Sequence, residues 1–268
     1  MCGIFGVSGS TPAVPLIAAG LKKLEYRGYD SSGIAVNGEK GIWLCKSAGS
    51  LSHLEKKLNQ SAPPLSSVGI GHTRWATHGK ATDLNAHPFL SADGMFAVAH
   101  NGIIENYTGL KAFLSEKGFS FVSDTDSEVV PMLLEYFYDG DVLKAIRRAV
   151  SELEGAFSLA IITSHAPDCV FAARKDSSLA IGCGKGCSFV SSDIPALSGF
   201  AEQCCIPDEN SVAVLRKGEI KLFDRQGNRT APSFKPTGEC GGDAEKGDFP
   251  FFMLKEIFSQ PRCLTDAA

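Results

Sequence analysis

The 268-residue chain reads as an α+β protein in which two stacked sheets are covered by helices. Three observations predict this. Short apolar runs bounded by glycine fill the first third of the sequence and return after Ala156, helical periodicity is concentrated between them, and 44% of the residues are hydrophobic, enough for a sizeable core.

Taken in order, the run from Cys2 to Val7 is short, apolar and flanked by glycine, as a buried strand would be, so the second residue is placed at a sheet edge. Thr11 and Pro12 form a cap and first-turn pair for a helix carrying Val14, Ile17, Leu21 and Leu24, which ends by Gly28. Strands follow at Gly33 to Val36 and Ile42 to Lys46, a short helix at Leu51 to Leu58, and strands at Val68 to Thr73 and Met95 to His100. Ile103, Tyr107, Leu110 and Leu114 mark a second long helix that Ile103 opens. A third carries Val130, Leu133, Leu134 and Phe137, and a fourth runs from Val142 to Leu153. Thr125 and Glu128 have capping-box spacing for the third helix, yet Pro131 then falls inside it and must kink it or delay its start. Strands resume at Ser158 to Thr163, Cys169 to Ala173, Leu179 to Cys183, Ser188 to Ser191, Ser211 to Leu215 and Glu219 to Phe223. The aperiodic segment from Asn228 to Asp248 reads as a loop. It divides a domain at residues 2–227 from a loop and tail at 228–268, the tail being apolar on one side.

A net charge of −4, from 26 basic and 30 acidic residues without long single-sign blocks, excludes an obvious nucleic-acid or membrane-binding surface. Nine cysteines cannot all pair within one chain, and their irregular spacing points to a reducing, cytoplasmic setting. The apolar start has no basic residue before Lys22 and is broken by Gly and Pro, so it reads as mature structure and not as a signal peptide. No apolar run approaches the ~20 residues of a membrane span.

Cysteine at position 2 carries chemistry of its own. Removal of Met1, which tolerates a small second residue, would leave a thiol and a free α-amino group on one residue. Their reference pKa values, about 8.5 and about 7.7–8.0, let the amine take the thiol proton near neutrality. A buried strand cysteine is the commoner role on these residues alone. The run from Gly71 to Gly79 gathers Arg74, Trp75, Thr77 and His78 just after an apolar strand, and a guanidinium there can hold a carboxylate. A surface arginine beside a core tryptophan is the plainer alternative. Asn101-Gly102 is a hairpin signal by local statistics, but with a helix expected after it the pair suits an amide and an N–H donor facing an oxyanion.

In chain order, MCGIFG, LEYRGYDSSGIAV, GIGHTRWATHG, NAHPF, VAHNGIIENY, SDTDSEVV and MLKEIFSQP span nearly the whole sequence. With these it resembles the class II, N-terminal-nucleophile glutamine amidotransferases, and within them the glutaminase domain of the glucosamine-6-phosphate synthase family. The resemblance implies a four-layer αββα sandwich of two mostly antiparallel sheets and a cofactor-free glutaminase. Cys2 would attack the glutamine side-chain amide, with Asn101 and Gly102 holding the oxyanion. Arg74, with Thr77 and His78, would bind the substrate α-carboxylate, and Asp126 its α-ammonium. Trp75 would lie on a closing loop, Arg27 would support the nucleophile strand, and His87 would stand behind the site without acting as general base. It also implies a sugar-phosphate isomerase half outside these residues, which would use the ammonia to make glucosamine 6-phosphate from fructose 6-phosphate. The full-length protein would be a homo-oligomer.

The glutaminase domain of an amidophosphoribosyltransferase or an asparagine synthetase is the nearest alternative, and a glutamine-binding domain without turnover is another. Cys183, Cys187, Cys204 and Cys205 have no standard zinc spacing, so no metal is expected and these read as structural or surface thiols. His53, His72, His100 and His165 are assigned nothing beyond packing or exposure.

Overall fold

Strand alternation sorts the side chains into three cores. The computed structural model describes residues 2–9, 11–77, 79–239, 248–250 and 252–267. Its first half contains β1 (Gly3–Ser8), α1 (Ala13–Lys23), β2 (Ser31–Gly38), β3 (Gly41–Ala48), α2 (Leu51–Gln60), β4 (Val68–Arg74), β5 (Phe89–Leu90) and β6 (Phe96–Gly102). The helical stretch is α3 (Tyr107–Glu116), α4 (Val129–Phe137) and α5 (Val142–Glu152). Then come β7 (Phe157–Thr163), β8 (Val170–Lys175), β9 (Ala180–Gly184), β10 (Cys187–Ser191), α6 (Ile194–Leu197), β11 (Gln203–Cys205), β12 (Val212–Arg216) and β13 (Glu219–Phe223). The described chain ends with β14 (Arg229–Thr230), β15 (Lys235–Pro236) and α7 (Phe252–Ala267).

The strands form an eight-stranded sheet, ordered β15-β11-β9-β10-β1-β4-β2-β3, and a seven-stranded sheet, ordered β14-β13-β12-β8-β7-β6-β5. Neighbours pair antiparallel, as in the registers Gly3↔Thr73, Phe5↔Ser191 and Asn101↔Ser158. On β1, Phe5 and Val7 point to α1 and α2, while Ile4 points to the other sheet. On β6, Phe96 and Val98 face α4 and α5, while Ala97 and Ala99 face inward. The inter-sheet core sets small residues (Ala97, Ala99, Ala160, Ala172, Ala213) against Ile4, Val68, Ile70, Ile181 and Val190, so the two faces interdigitate closely. The result is the αββα sandwich.

Gly20 shows why α1 lies so near its sheet: a Cβ there would fall 2.3 Å from the ring of Phe5, which is wholly buried. Burying such a ring contributes roughly 2–3 kcal/mol, and the missing side chain at Gly20 permits it.

Several expectations need correction. Pro12, not Thr11, occupies the N-cap of α1 and makes no side-chain cap bond, while the Thr11 hydroxyl lies 3.6 Å from the Cys187 sulfur. Ile103 does not open a helix: β6 runs on to Gly102, and α3 begins at Tyr107. There is no capping box at Thr125, because the Glu128 carboxylate accepts from the backbone N–H groups of Val122 and Ser123 and from the Ser123 hydroxyl. Pro131 accordingly sits in the first turn of α4, where its missing N–H costs nothing. The short elements β5, α6, β11, β14 and β15 are additions to the sequence reading. β14 pairs with β13 and β15 with β11. The apolar tail is helical, and Met253, Ile257, Phe258 and Leu264 are exposed on it.

Candidate active site

Three strand ends converge. β1 begins where its antiparallel neighbour β4 ends, and the end of β6 lies across the inter-sheet space, so Cys2, Arg74 with Trp75, and Asn101 with Gly102 meet at one rim of the sandwich. The Trp75 N–H donates to the Cys2 sulfur at 3.3 Å, and the Cys2 thiol approaches the Trp75 carbonyl at 3.6 Å. The Cys2 carbonyl accepts from Arg27 Nε at 2.9 Å and from Asn101 Nδ2 at 3.1 Å. These contacts fix the Cys2 backbone from the turn at Arg27 and from β6 of the other sheet. Burial raises the Cys2 thiol above its usual pKa, while the Trp75 N–H, Arg74 and Arg27 pull it the other way. The resting thiol is therefore protonated at neutrality and needs a base beside it.

Arg27 is itself held: its guanidinium reaches Asp193 at 3.4 Å and the Ser178 hydroxyl at 3.3 Å, and Tyr26 donates its hydroxyl to the same Asp193 carboxylate. The loop after β4 is anchored by Asp30, which accepts the Ala76 N–H at 2.8 Å and donates its own N–H to the Arg74 carbonyl at 3.0 Å. Trp75 leaves that loop 39% exposed, edge-on to Tyr29 at 5.5 Å.

Arg74 is buried, with Nη1 3.3 Å from the Lys80 carbonyl and Nη2 3.4 Å from that of Gly79. Burial lowers its pKa, opposed by Cys2, Asp126 and Asp30, and a guanidinium remains charged regardless. Asp126 is 5% exposed, accepting from the Ile104 N–H at 2.8 Å and the Ser127 hydroxyl at 3.2 Å. A buried cation and a buried anion thus face one cleft, complementary to a zwitterion. Gly102 has φ +120°, and a Cβ there would stand 2.0 Å from the Ala156 carbonyl oxygen, so only glycine fits at this exposed end of β6.

The cleft is lined by Cys2, Arg74, Trp75, Thr77, His87, Gly102 and Asp126 from the sequence prediction, together with His100, Thr125 and Ser127. Asn101 sits directly behind it, against the Cys2 carbonyl. His78 lies outside the described residues. His87 accepts the His100 N–H at Nδ1, 3.2 Å away, and stacks on His72 at 4.2 Å. Burial holds it well below the ordinary histidine pKa, which suits a neutral packing partner.

Sequence reasoning missed His72, His100, Ser127, Asp30 and Asp193. His100 adjoins Asn101, and Asp30 lies within YRGYD, so proximity to motif residues was the available signal; nothing near Asp193 marks it. Among the described residues no group of three or more His, Cys, Asp or Glu side chains is arranged to hold a metal ion, and no helix is long and apolar enough to cross a membrane.

The family model described as "Glutamine amidotransferase domain" matches residues 72–199. The glutamine–fructose-6-phosphate aminotransferase (isomerizing) of Clostridium tetani is 43% identical over 266 residues, covering 99% of this chain and 44% of that protein. Its namesake from Symbiobacterium thermophilum is 45% identical over the same shares. The chain thus spans less than half the length of these curated relatives. Among solved structures, the glutamine phosphoribosylpyrophosphate amidotransferase of B. subtilis, complexed with ADP and GMP, superposes with a TM-score of 0.74 at 25% identity, over 85% of this chain and 50% of that one.

Proposed function

We propose, from the premise that this chain belongs to the class II glutamine amidotransferases, that it hydrolyses L-glutamine to glutamate and ammonia through a thioester on Cys2. The observation that carries this reading is that Cys2 lines a cleft holding one buried guanidinium and one buried carboxylate, with a backbone N–H on its sulfur and an asparagine amide on its carbonyl.

In this reading Arg74 pairs with the α-carboxylate of glutamine and Asp126 with its α-ammonium, which sets the γ-carboxamide over Cys2. Once Met1 is removed, the α-amino group of Cys2 takes the thiol proton and sulfur adds to the carboxamide carbon. The oxygen becomes an oxyanion facing the N–H donors of Asn101 and Gly102. Collapse breaks the C–N bond, the ammonium group of Cys2 returns its proton to the departing nitrogen, and ammonia leaves behind a γ-glutamyl thioester. Water, deprotonated by the same amine, then adds to the thioester carbon, and glutamate and the free thiol result. Trp75 and Thr77 close over the substrate, and Arg27 steadies the Cys2 carbonyl. No cofactor is needed.

The identity to relatives named for fructose 6-phosphate supports a destination for the ammonia: a sugar-phosphate isomerase half outside these residues that forms glucosamine 6-phosphate. The test is glutamate release by the purified chain, with intact mass to verify Met1 removal, beside Cys2→Ala. Release by the processed cysteine form alone is expected. Equal release by Cys2→Ala contradicts the mechanism, and asparagine turning over as fast as glutamine contradicts the assigned fit.

A further inference from the structure

The two polar anchors of the cleft, Asn101 and Asp126, each rest on a fully buried histidine that the reaction as described does not use. His72, on β4, places Nε2 2.9 Å from the His100 carbonyl and 3.0 Å from Asn101 Oδ1. Both are acceptors, so Nε2 carries the proton. Its Nδ1 is enclosed and has no partner among the described residues. His100, on β6, is the reverse. Its Nδ1 lies 2.7 Å from the Ser127 hydroxyl oxygen, whose own hydrogen is given to Asp126 at 3.2 Å, so Nδ1–H donates to Ser127. Its Nε2 is the enclosed nitrogen without a partner among the described residues. Burial keeps both rings neutral, lowering His72 to about 3 and His100 to about 4.

The orientation of the Asn101 amide has a direct consequence for an oxyanion. With Oδ1 turned to His72, the amide nitrogen faces Cys2 and bonds its carbonyl, leaving a second N–H outside both bonds. Turned over, the amide would set its oxygen against the Cys2 carbonyl oxygen and offer the cleft a lone pair. It would also set its N–H donors against the Nε2–H of His72.

We propose that His72 and His100 are positioning residues acting as neutral donors of opposite tautomer. His72, through Nε2–H, turns the Asn101 amide nitrogen toward the reacting carbon, and His100, through Nδ1–H and Ser127, aims the Asp126 carboxylate at the substrate ammonium. The inference rests on the roles given above to Asn101 and Asp126.

Glutamine places its amide nitrogen near the position of imidazole Nε2, and asparagine near that of Nδ1, so the two sites have mirrored rescues. His72→Leu is expected to lower kcat for glutamate release by about 10²-fold, as does loss of an oxyanion donor, with KM nearly unchanged. His72→Gln recovers most of it and His72→Asn does not. His100→Leu is expected to raise KM about tenfold, the scale of one hydrogen bond at a charged group, with kcat nearly unchanged. Here His100→Asn recovers and His100→Gln does not. A packing role alone gives no such mirror, so equal behaviour of Gln and Asn at either site overturns the proposal. Cys2→Ala and Asn101→Ala run alongside. If these keep full activity the thioester reading itself has failed, whereas their loss with an unaffected His72→Leu overturns only the positioning role. Should the leucine variants not fold, nitrogen NMR of the unmutated chain decides: a proton on Nε2 of His72 and on Nδ1 of His100 is required, and the same tautomer at both contradicts the proposal.

Discussion

Cys2 and Cys205 are thiols of one eight-stranded sheet in opposite surroundings. Cys2 immediately precedes the central strand β1, where the Trp75 N–H reaches its sulfur and two guanidinium groups lie close by. Cys205 lies on β11, near the sheet's far edge, where burial pushes its thiol up to about 12 and Cys204, Cys183 and Asp208 push the same way. Desolvation opposes ionisation at both sites. What separates them is the donors and positive charges that offset it at Cys2 and are lacking among the influences on Cys205. A nucleophile is made by its neighbours, and a buried cysteine without them is packing.

The largest break in this comparison is functional. Cys2→Ala is expected to lower glutamate release on the order of 10⁴-fold or more, while Cys205→Ala leaves it within about twofold and costs about 1 kcal/mol in urea unfolding. Comparable losses of activity at both positions would erase the distinction. Gly102→Ala comes next. A Cβ 2.0 Å from a backbone oxygen, at a left-handed φ, is expected to cost about 3 kcal/mol or more, read as a lower thermal midpoint or failure to fold.

Acid should then reveal the buried imidazoles behind Cys2. The unfolded chain takes up a proton at each histidine as pH falls through about 6.5, whereas folded His72, lowered by burial, resists until about 3. Stability attributable to His72 is thus fully present above about 6.5 and declines by about 1.4 kcal/mol per pH unit below it. Between pH 6.5 and 4.5 the urea stability of His72→Gln should fall by about 2 kcal/mol less than that of the parent. Identical slopes would mean that the ring is not buried neutral. The smallest effect is Arg74→Lys, which removes the planar fork while keeping the charge. KM for glutamine should rise about tenfold with kcat less changed, measured by initial rates.

How much of this was legible follows the range of the interactions. Alternation and glycine spacing mark most long strands within a few residues, because those signals are local. Two-residue strands such as β5 and β14 are invisible, since they exist only through partners far away in sequence. Pro131 leaves a kink and a delayed start equally open in the sequence, and the structure starts α4 at Val129; the Glu128 carboxylate that builds the preceding turn has the spacing of a cap. In the cleft, Cys2, Arg74, Gly102 and Asp126 were named from motif order, and the structure gathers them at one rim. His72 and His100 carry no assignment beyond packing or exposure in the sequence, because nothing there tells which histidine nitrogen will meet an acceptor across a sheet interface. Asp193 reaches Arg27 across 166 positions, and no local pattern encodes that.

The most direct test of the central claim is to acid-quench the processed chain during steady turnover of glutamine and to map any covalent adduct by peptide mass spectrometry. A γ-glutamyl group on the peptide beginning with Cys2, absent from Cys2→Ala and formed and lost at rates matching turnover, is the predicted result. Undiminished turnover with no adduct on Cys2, or an adduct on another cysteine, would contradict it.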